Sequence, residues 1–324
     1  MAAGDGAGAA PAPAPDGAAR GTAPDAAARG IAPDGAARGI VYAATGRPYV
    51  TLARRAARTV RRLMPDVPID LYTDEAPDDP VFDRVHLLER VDRRPKIEAL
   101  IRTRFDLALY LDADTVMLAP VHDVFDVVAG CDLAMAVEAY RGDKRNLSGP
   151  THVPPAFPPF NSGVIAFNAS DRTRDFARRW AEAFRAGAAE HPYDQRALRE
   201  TAYASDLSIR TLPREYNLMW IAGLLDWDER RLAPRILHLP RLHQGRLGDP
   251  EAPFDLKAIV PPRQRAALRA LLRADPTLAA PPGGWGIEAP PMPLGRRVPG
   301  KGIRPFRDRF EPPRHAAAPA GEDP

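Results

Sequence analysis

Sulfur chemistry is nearly absent from this chain. Among 324 residues there is one cysteine, Cys131, so neither an internal disulfide framework nor a multi-cysteine zinc site can form. No run of about 18 apolar residues occurs, which argues against an integral membrane span. The start lacks the basic residues and apolar stretch of a secretory signal, and a cytoplasmic protein is the simplest expectation. An excess of one charge is missing too. Lys and Arg number 45 against 42 Asp and Glu, for a net +3, which does not demand nucleic acid as a partner. What remains is ordinary for a globular protein, with 45% hydrophobic and 27% charged residues. The length suffices for one large domain or two ordinary ones. The abundance of Ala, Arg, Pro and Asp fits a GC-rich coding sequence.

The first segment is repetitive. "APDGAARGT", "APDAAARGI" and "APDGAARGI" start at Ala14, Ala23 and Ala32. These copies carry Pro and Gly and almost no large apolar side chain, so they cannot bury a core. Residues 1–38 read as a disordered tail, with a docking tail as the alternative. Order is expected from Gly39. "GIVYAA" reads as a strand followed by the turn "TGRPY". Val50, Ala53, Ala57, Val60 and Met64 recur at helical spacing with arginines opposite, and Pro65 ends that helix. "VPIDLYTDE" and "FDRVHLLER" read as strands, Lys96 to Arg104 as a helix, then "LALYL", "CDLAMAVEA" and "SGVIAFN" as strands. Phe176, Trp180 and Phe184 mark an amphipathic helix. Asp194 to Thr201 reads as a further helix, and "IRTLP" and "RILHLP" as short strands. This alternation predicts an α/β sheet with crossover helices. "PPRQRAALRALLRADP" gives a helical extension within 249–280, and 281–324 reads as a Pro/Gly-rich disordered tail.

"LALYLDADTVML", from Leu107 to Leu118, carries the chemistry. If the strand continues through Asp112 and Asp114, their side chains share a side, with Cα atoms about 7 Å apart. Two carboxylates so placed repel unless a cation lies between them. At the C-terminal edge of a parallel sheet the natural cation is Mg²⁺ or Mn²⁺, which takes one or two carboxylates plus substrate phosphates. Alternatively the acids merely end the strand at a turn closed near Thr115. Two enzyme classes end an apolar strand this way. In haloacid-dehalogenase-like phosphatases Asp112 would be nucleophile and Asp114 general acid/base. Such an enzyme needs this strand first in its domain and a later lysine. Here two strand-helix units precede it, and only Lys257 and Lys301 follow Lys144.

The other class is favoured by the rest of the chain. From about Gly39 to Gly245 the sequence resembles the GT-A nucleotide-sugar glycosyltransferases, especially the glycogenin-like and lipopolysaccharide galactosyltransferase-like group of family 8. The motifs are "IVYAATGRPYV", "PKIEALIRTRFDLALYLDADTVML", "NSGVIAFN", "YDQRAL" and "ILHLP", in that order. The resemblance implies a Rossmann-like mixed sheet flanked by helices over 39–248. It implies a sugar nucleotide as donor, UDP-linked, and a retaining, metal-dependent transfer. By the same resemblance Ala43, Thr45 and Tyr49 lie at the nucleotide, and Lys96 contacts it. Asp112, Asp114 and His238 would bind the metal, with His243 competing for His238's place. Asn161 would face the donor sugar, and Asp194 and Gln195 would lie near the reacting carbon. The family follows its histidine with Gly and then Lys-Pro-Trp. Here Arg241 stands three after His238, and Arg246 is the cation that could replace the lysine on the diphosphate. An acid often found before the Asp-Gln pair is replaced by His191. The loop from Tyr140 to Phe160 is the expected acceptor-side lid. The acceptor stays open among glycan, lipid, small molecule and protein. A non-catalytic sugar-nucleotide or glycan-binding relative is the competing class.

Overall fold

Strand β1 (Arg38–Ala44) is the chain's first apolar run, and it becomes a central strand. The computed structural model describes residues 35–89, 93–138, 152–189, 191, 193–219, 232–244, 247–275, 277–278, 284 and 286–287. The chain divides into two units, Met1–Glu288 and Ala289–Pro324. The second unit, and the repeats up to residue 34, lie outside the described residues.

After β1 the chain turns at Gly46, whose φ of 76° is a conformation that costs glycine little. Its N–H donates to the Asp74 carboxylate at 2.9 Å. Helix α1 (Arg47–Leu63) starts there with a proline in its first turn, where no hydrogen bond is lost. Then come β2 (Ile69–Thr73), β3 (Arg84–Leu87), α2 (Pro95–Arg102), β4 (Leu107–Leu111), β5 (Thr115–Met117), α3 (Asp123–Ala129) and β6 (Leu133–Val137). They are followed by β7 (Phe160–Asn168), α4 (Asp171–Gly187), α5 (Gln195–Tyr203), β8 (Ile209–Leu212), β9 (Leu218–Met219) and β10 (Ile236–His238).

The main sheet has the order β3-β2-β1-β4-β7-β6-β8. Strands β1 to β4 run parallel, β7 is antiparallel to both β4 and β6, and β8 is parallel to β6. The mixed α/β architecture expected from the sequence is therefore present. Side-chain alternation splits the core in two. Ile40, Tyr42, Leu107, Leu109 and Leu111 face α1, which presents Leu52, Ala53, Ala56, Ala57 and Val60. Val41, Ala43, Ala108 and Tyr110 face the other way, toward Ile97 of α2 and Phe176, Trp180 and Phe184 of α4. Ser170 caps α4 by accepting from Thr173 N–H. Trp180 is fully buried, so truncating it to Ala would cost about 3–5 kcal/mol.

The segment after residue 247 belongs to the same body. The Arg55 guanidinium donates to the carbonyls of Leu247, Ala252 and Pro253, and lies 4.6 Å from the Phe254 ring centroid. Leu268, Leu271 and Leu272 of the helix Pro262–Ala274 join the core on the α1 side. Arginines of α1, which lie opposite its apolar positions in the sequence pattern, thus hold structure.

A smaller sheet, β5-β10-β9, corrects one expectation. The strand does not continue through Asp112 and Asp114. β4 stops at Leu111, and a turn carries both acids into β5. Thr115 closes the turn, donating from its N–H and its hydroxyl to the Asp112 carbonyl at 3.1 and 2.8 Å.

Candidate active site

Two pairings hold that turn in place. On one side Asp112 N–H donates to the Gly163 carbonyl at 2.8 Å, extending the β4–β7 ladder. On the other, β10 pairs antiparallel with β5 in a register that sets His238 opposite Thr115. Leu239 N–H then donates to the Asp114 carbonyl at 3.0 Å. Residues far apart in sequence meet because two short ladders fix them.

One ligand atom from each of Asp112, Asp114 and His238 lies within 4.8 Å of the others. His238 Nε2 is 3.3 Å from Asp114 Oδ1 and 3.8 Å from Asp112 Oδ2. Its Nδ1 is committed to Asn217 Oδ1 at 2.9 Å, which leaves Nε2 for the carboxylates. His243 reaches Asp114 Oδ2 at 2.9 Å and leans against the Tyr49 ring, with centroids 5.0 Å apart. The cluster forms around His238, and His243 flanks it.

Gly163 is required by this packing. A Cβ there would lie 2.1 Å from His238 Cε1 and 3.0 Å from Asp112 Oδ2. The glycine of the Asn-Ser-Gly motif is the space into which the imidazole fits.

Electrostatics follow from burial. Burial alone would raise the Asp114 carboxyl, but the two histidines outweigh it and hold the group well below the usual carboxylate range. Burial would lower His238, yet Asp114 and Asp112 raise it on balance. His243 is raised by its hydrogen bond to Asp114. The two carboxylates thus draw positive charge to this point. A divalent cation fits the same place, and two carboxylates with one imidazole nitrogen form an N/O donor set suited to Mn²⁺. The tyrosine hydroxyl of Tyr110 donates to Asp112 Oδ1 at 2.6 Å.

Next to this cluster stands a second one built on Lys96. Its ammonium lies 3.0 Å from Asp112 Oδ1 and 3.8 Å from Asp194 Oδ2, and donates to the Ser162 carbonyl at 3.1 Å. Asp194 also accepts from the Ser162 hydroxyl at 2.9 Å and pairs with Arg94 Nε at 3.1 Å. Burial would raise the Asp194 carboxyl, but Lys96 and Arg94 outweigh it and keep it lowered. Beside it, Gln195 has a buried Oε1 with no hydrogen-bond partner, an acceptor left for something that enters.

Both clusters line one cavity of about 350 Å³. Ala43, Thr45, Tyr49, Lys96, Asp112, Asp114, Asn161, Asp194, Gln195, His238 and His243 all border it. Asn161 borders it with its amide already bonded to protein atoms. Arg246 lies outside the described residues, as does the part of the expected lid before His152. The rest of that loop is held by Arg199, which donates to the carbonyls of Pro154 and Phe157 at 2.9 and 2.7 Å. Sequence reasoning missed Arg93, Arg94 and Tyr193 on the cavity wall, and Asn217 behind His238. The adjacent arginines just ahead of the "PKIEAL" helix were the available signal.

Among the described residues no helix is long and apolar enough to cross a membrane. No curated protein matches this chain. Solved structures do. GlyE, a glycosyltransferase of Streptococcus pneumoniae TIGR4, is 18% identical over 62% of this chain and 54% of its own, with a TM-score of 0.47. This chain thus spans about half the length of GlyE. The galactosyltransferase LgtC, solved with donor and acceptor sugar analogs, is 14% identical over 62% of this chain and 87% of its own, with a TM-score of 0.48. The family model described as nucleotide-diphospho-sugar transferase matches residues 50–244. That stretch is more than half of the chain and contains the Asp112–Asp114–His238 cluster together with Lys96, Asp194 and Gln195, and on it the chain belongs to the nucleotide-diphospho-sugar transferase family.

Proposed function

We propose that this glycosyltransferase moves a sugar from a UDP-linked donor to an acceptor with retention of configuration, in a step that depends on Mn²⁺ or Mg²⁺. The observation that carries the metal dependence is the convergence of Asp112, Asp114 and His238 on the floor of the cavity, next to the Lys96 ammonium. UDP and retention follow the family 8 resemblance.

Asp112, Asp114 and His238 would hold the metal, whose positive charge stabilises the diphosphate as it leaves. Ala43, Thr45 and Tyr49 hold the nucleotide at the C-terminal ends of the parallel strands, where such sheets bind ligands. Lys96 lies where it can lend its charge to the diphosphate, and Arg246 adds a guanidinium from the segment after His243. Gln195, whose buried Oε1 has no hydrogen-bond partner, would accept from the sugar. Asp194 is fixed by Arg94, Lys96 and Ser162, so its negative charge is oriented before any substrate arrives and can stabilise positive charge at the reacting carbon.

The test is to incubate the full-length protein with a panel of sugar nucleotides, with Mn²⁺ and with chelator. UDP-sugar hydrolysis or transfer is expected only with metal, and NMR of the product's anomeric proton reads the stereochemistry. Turnover unaffected by chelator overturns the metal assignment. An inverted product overturns retention. Tight nucleotide binding without turnover on any donor would assign a binding protein instead.

A further inference from the structure

Behind His238 runs a row of buried polar side chains. His238 Nδ1 donates to Asn217 Oδ1 at 2.9 Å. Asn217 Nδ2 donates to Asn161 Oδ1 at 2.8 Å. Asn161 Nδ2 donates to Glu138 Oε2 at 2.8 Å. Every proton points the same way, from imidazole to carboxylate. His238, Asn217, Asn161 and Glu138 are 5, 6, 3 and 5% exposed, so water does not compete for these bonds.

The sense of the row is fixed by groups that cannot reverse. An ionised carboxylate only accepts, so Glu138 requires the nitrogen end of the Asn161 amide. The Gly163 N–H only donates, and it points at Asn161 Oδ1 at 2.9 Å. Asn161 is thereby held in one orientation. Its Nδ2 also reaches Met219 Sδ at 2.8 Å, so two N–H groups and two acceptor positions are all occupied within the protein. Asn161 Oδ1 then demands the nitrogen end of Asn217, which leaves the Asn217 oxygen toward His238. A neutral imidazole carries one N–H. With an acceptor at Nδ1, the proton stays there and the Nε2 lone pair faces Asp112 and Asp114.

We propose that Glu138, Asn161 and Asn217 form a one-way hydrogen-bond relay that fixes the tautomer and aim of His238 for a divalent cation held with Asp112 and Asp114. The inference rests on the metal reading above. It makes Asn161 a positioning residue that acts through His238 and not a contact to the sugar. It also assigns a role to Glu138, which directly follows strand β6 and accepts from Asn161 Nδ2. Partners behind a ligating histidine typically change metal affinity by about 10–100-fold.

The experiment is a Mn²⁺ titration of the full-length protein, with free Mn²⁺ read by electron paramagnetic resonance. Electron spin-echo modulation of the bound ion reads its imidazole nitrogen. Asn217→Leu keeps the approximate shape and removes the acceptor. It is expected to weaken Mn²⁺ binding about 10–100-fold and to lose the nitrogen modulation. Asn217→Leu binding like wild type, with the modulation intact, overturns the relay. Should that variant fail to melt cooperatively, Glu138→Leu and Glu138→Gln decide. Gln still offers an oxygen to Asn161 and Leu does not, so weaker binding by Glu138→Leu than by Glu138→Gln supports the relay, and no difference between them overturns it. A wild type that takes up Mn²⁺ no better than Asp112→Asn/Asp114→Asn removes the metal reading itself, and the relay with it. That outcome is distinct from a wild type that binds normally while the relay variants do not differ from it.

Discussion

Asp79 and Asp114 are both buried carboxylates, and they are neutralised by different cations. The Asp79 side chain is fully covered and is gripped by Arg54 and Arg58 of α1. Asp114 is 4% exposed and is gripped by His238 and His243. Both are held as anions, against the burial that would raise them. Arginine cannot give up its proton in a protein, so the cations of the Asp79 cluster cannot become ligands and serve to hold α1 to the loop before β3. Histidine can lose its proton and become a ligand, so the Asp114 cluster can exchange a proton for a metal. The same electrostatic demand, met by different side chains, separates a structural clamp from a site of chemistry.

The largest effect expected from breaking this symmetry is on turnover. Asp112→Asn with Asp114→Asn should lower sugar transfer by about 1,000-fold or more, since metal charge stabilisation contributes several kcal/mol. Chemical denaturation should show the smaller effect, because Asn keeps the shape and an acceptor oxygen at both positions although the charge pairing with Lys96, His238 and His243 is lost. An activity assay beside a urea melt checks both halves, and retained turnover would break the comparison. Asp79→Ala should do the reverse. Removing one partner of a buried ion cluster costs about 3–5 kcal/mol, because two guanidiniums and the Val81 N–H lose their acceptor. Turnover at room temperature should persist in the fraction that stays folded.

The same clamp makes a pH prediction. Arg58, Arg54 and the Val81 N–H outweigh burial and depress the Asp79 pKa below its ordinary 3.8. A depressed carboxyl contributes stability above its unfolded pKa and loses it as pH falls through the folded value. The difference in unfolding free energy between wild type and Asp79→Asn should be constant from neutral pH to about 5 and shrink below 4. A difference that grows on acidification would contradict the assignment.

Much of this was legible in the chain. Strand β1, helix α1, strand β4 and the Phe176–Trp180–Phe184 stripe announce themselves by local period, because a single face decides their burial. The cavity residues were legible as motifs, since sugar-nucleotide chemistry needs acids, an amide and a cation at sheet edges. The turn at Asp112–Asp114 was legible only as one of two alternatives. It exists because β5 pairs with β10, two three-residue strands distant in sequence, and such short ladders leave no periodic trace. Helix α3 went unread for a similar reason, as its seven residues span only two turns. Asn217 and Glu138 were invisible as partners because a hydrogen-bond row is a property of three dimensions. Gly163 could have been read further, since a glycine inside an apolar strand signals close approach by another group.

Gly163→Ala sharpens the comparison from within the site. The added methyl would fall 2.1 Å from His238 Cε1, so the imidazole must leave its place. Mn²⁺ affinity should fall about as far as for loss of the hydrogen-bond partner behind His238, roughly 10–100-fold, while α1 and its arginine clamp stay intact. The smallest effect belongs to His243→Ala. This ring hydrogen-bonds Asp114, is 31% exposed, and stands outside the three-residue cluster. Its removal leaves Asp112, Asp114 and His238 with their hydrogen bonds, so Mn²⁺ affinity should change only a few-fold. The ring also packs on Tyr49, at the nucleotide end of the cavity, so a modest rise in KM for the donor should accompany an almost unchanged kcat. Calorimetric titration with Mn²⁺ and steady-state kinetics distinguish the two histidines. A collapse of metal binding in His243→Ala larger than in His238→Ala would move the site one turn along the chain, from the end of β10 into the helical turn Pro240–Gln244.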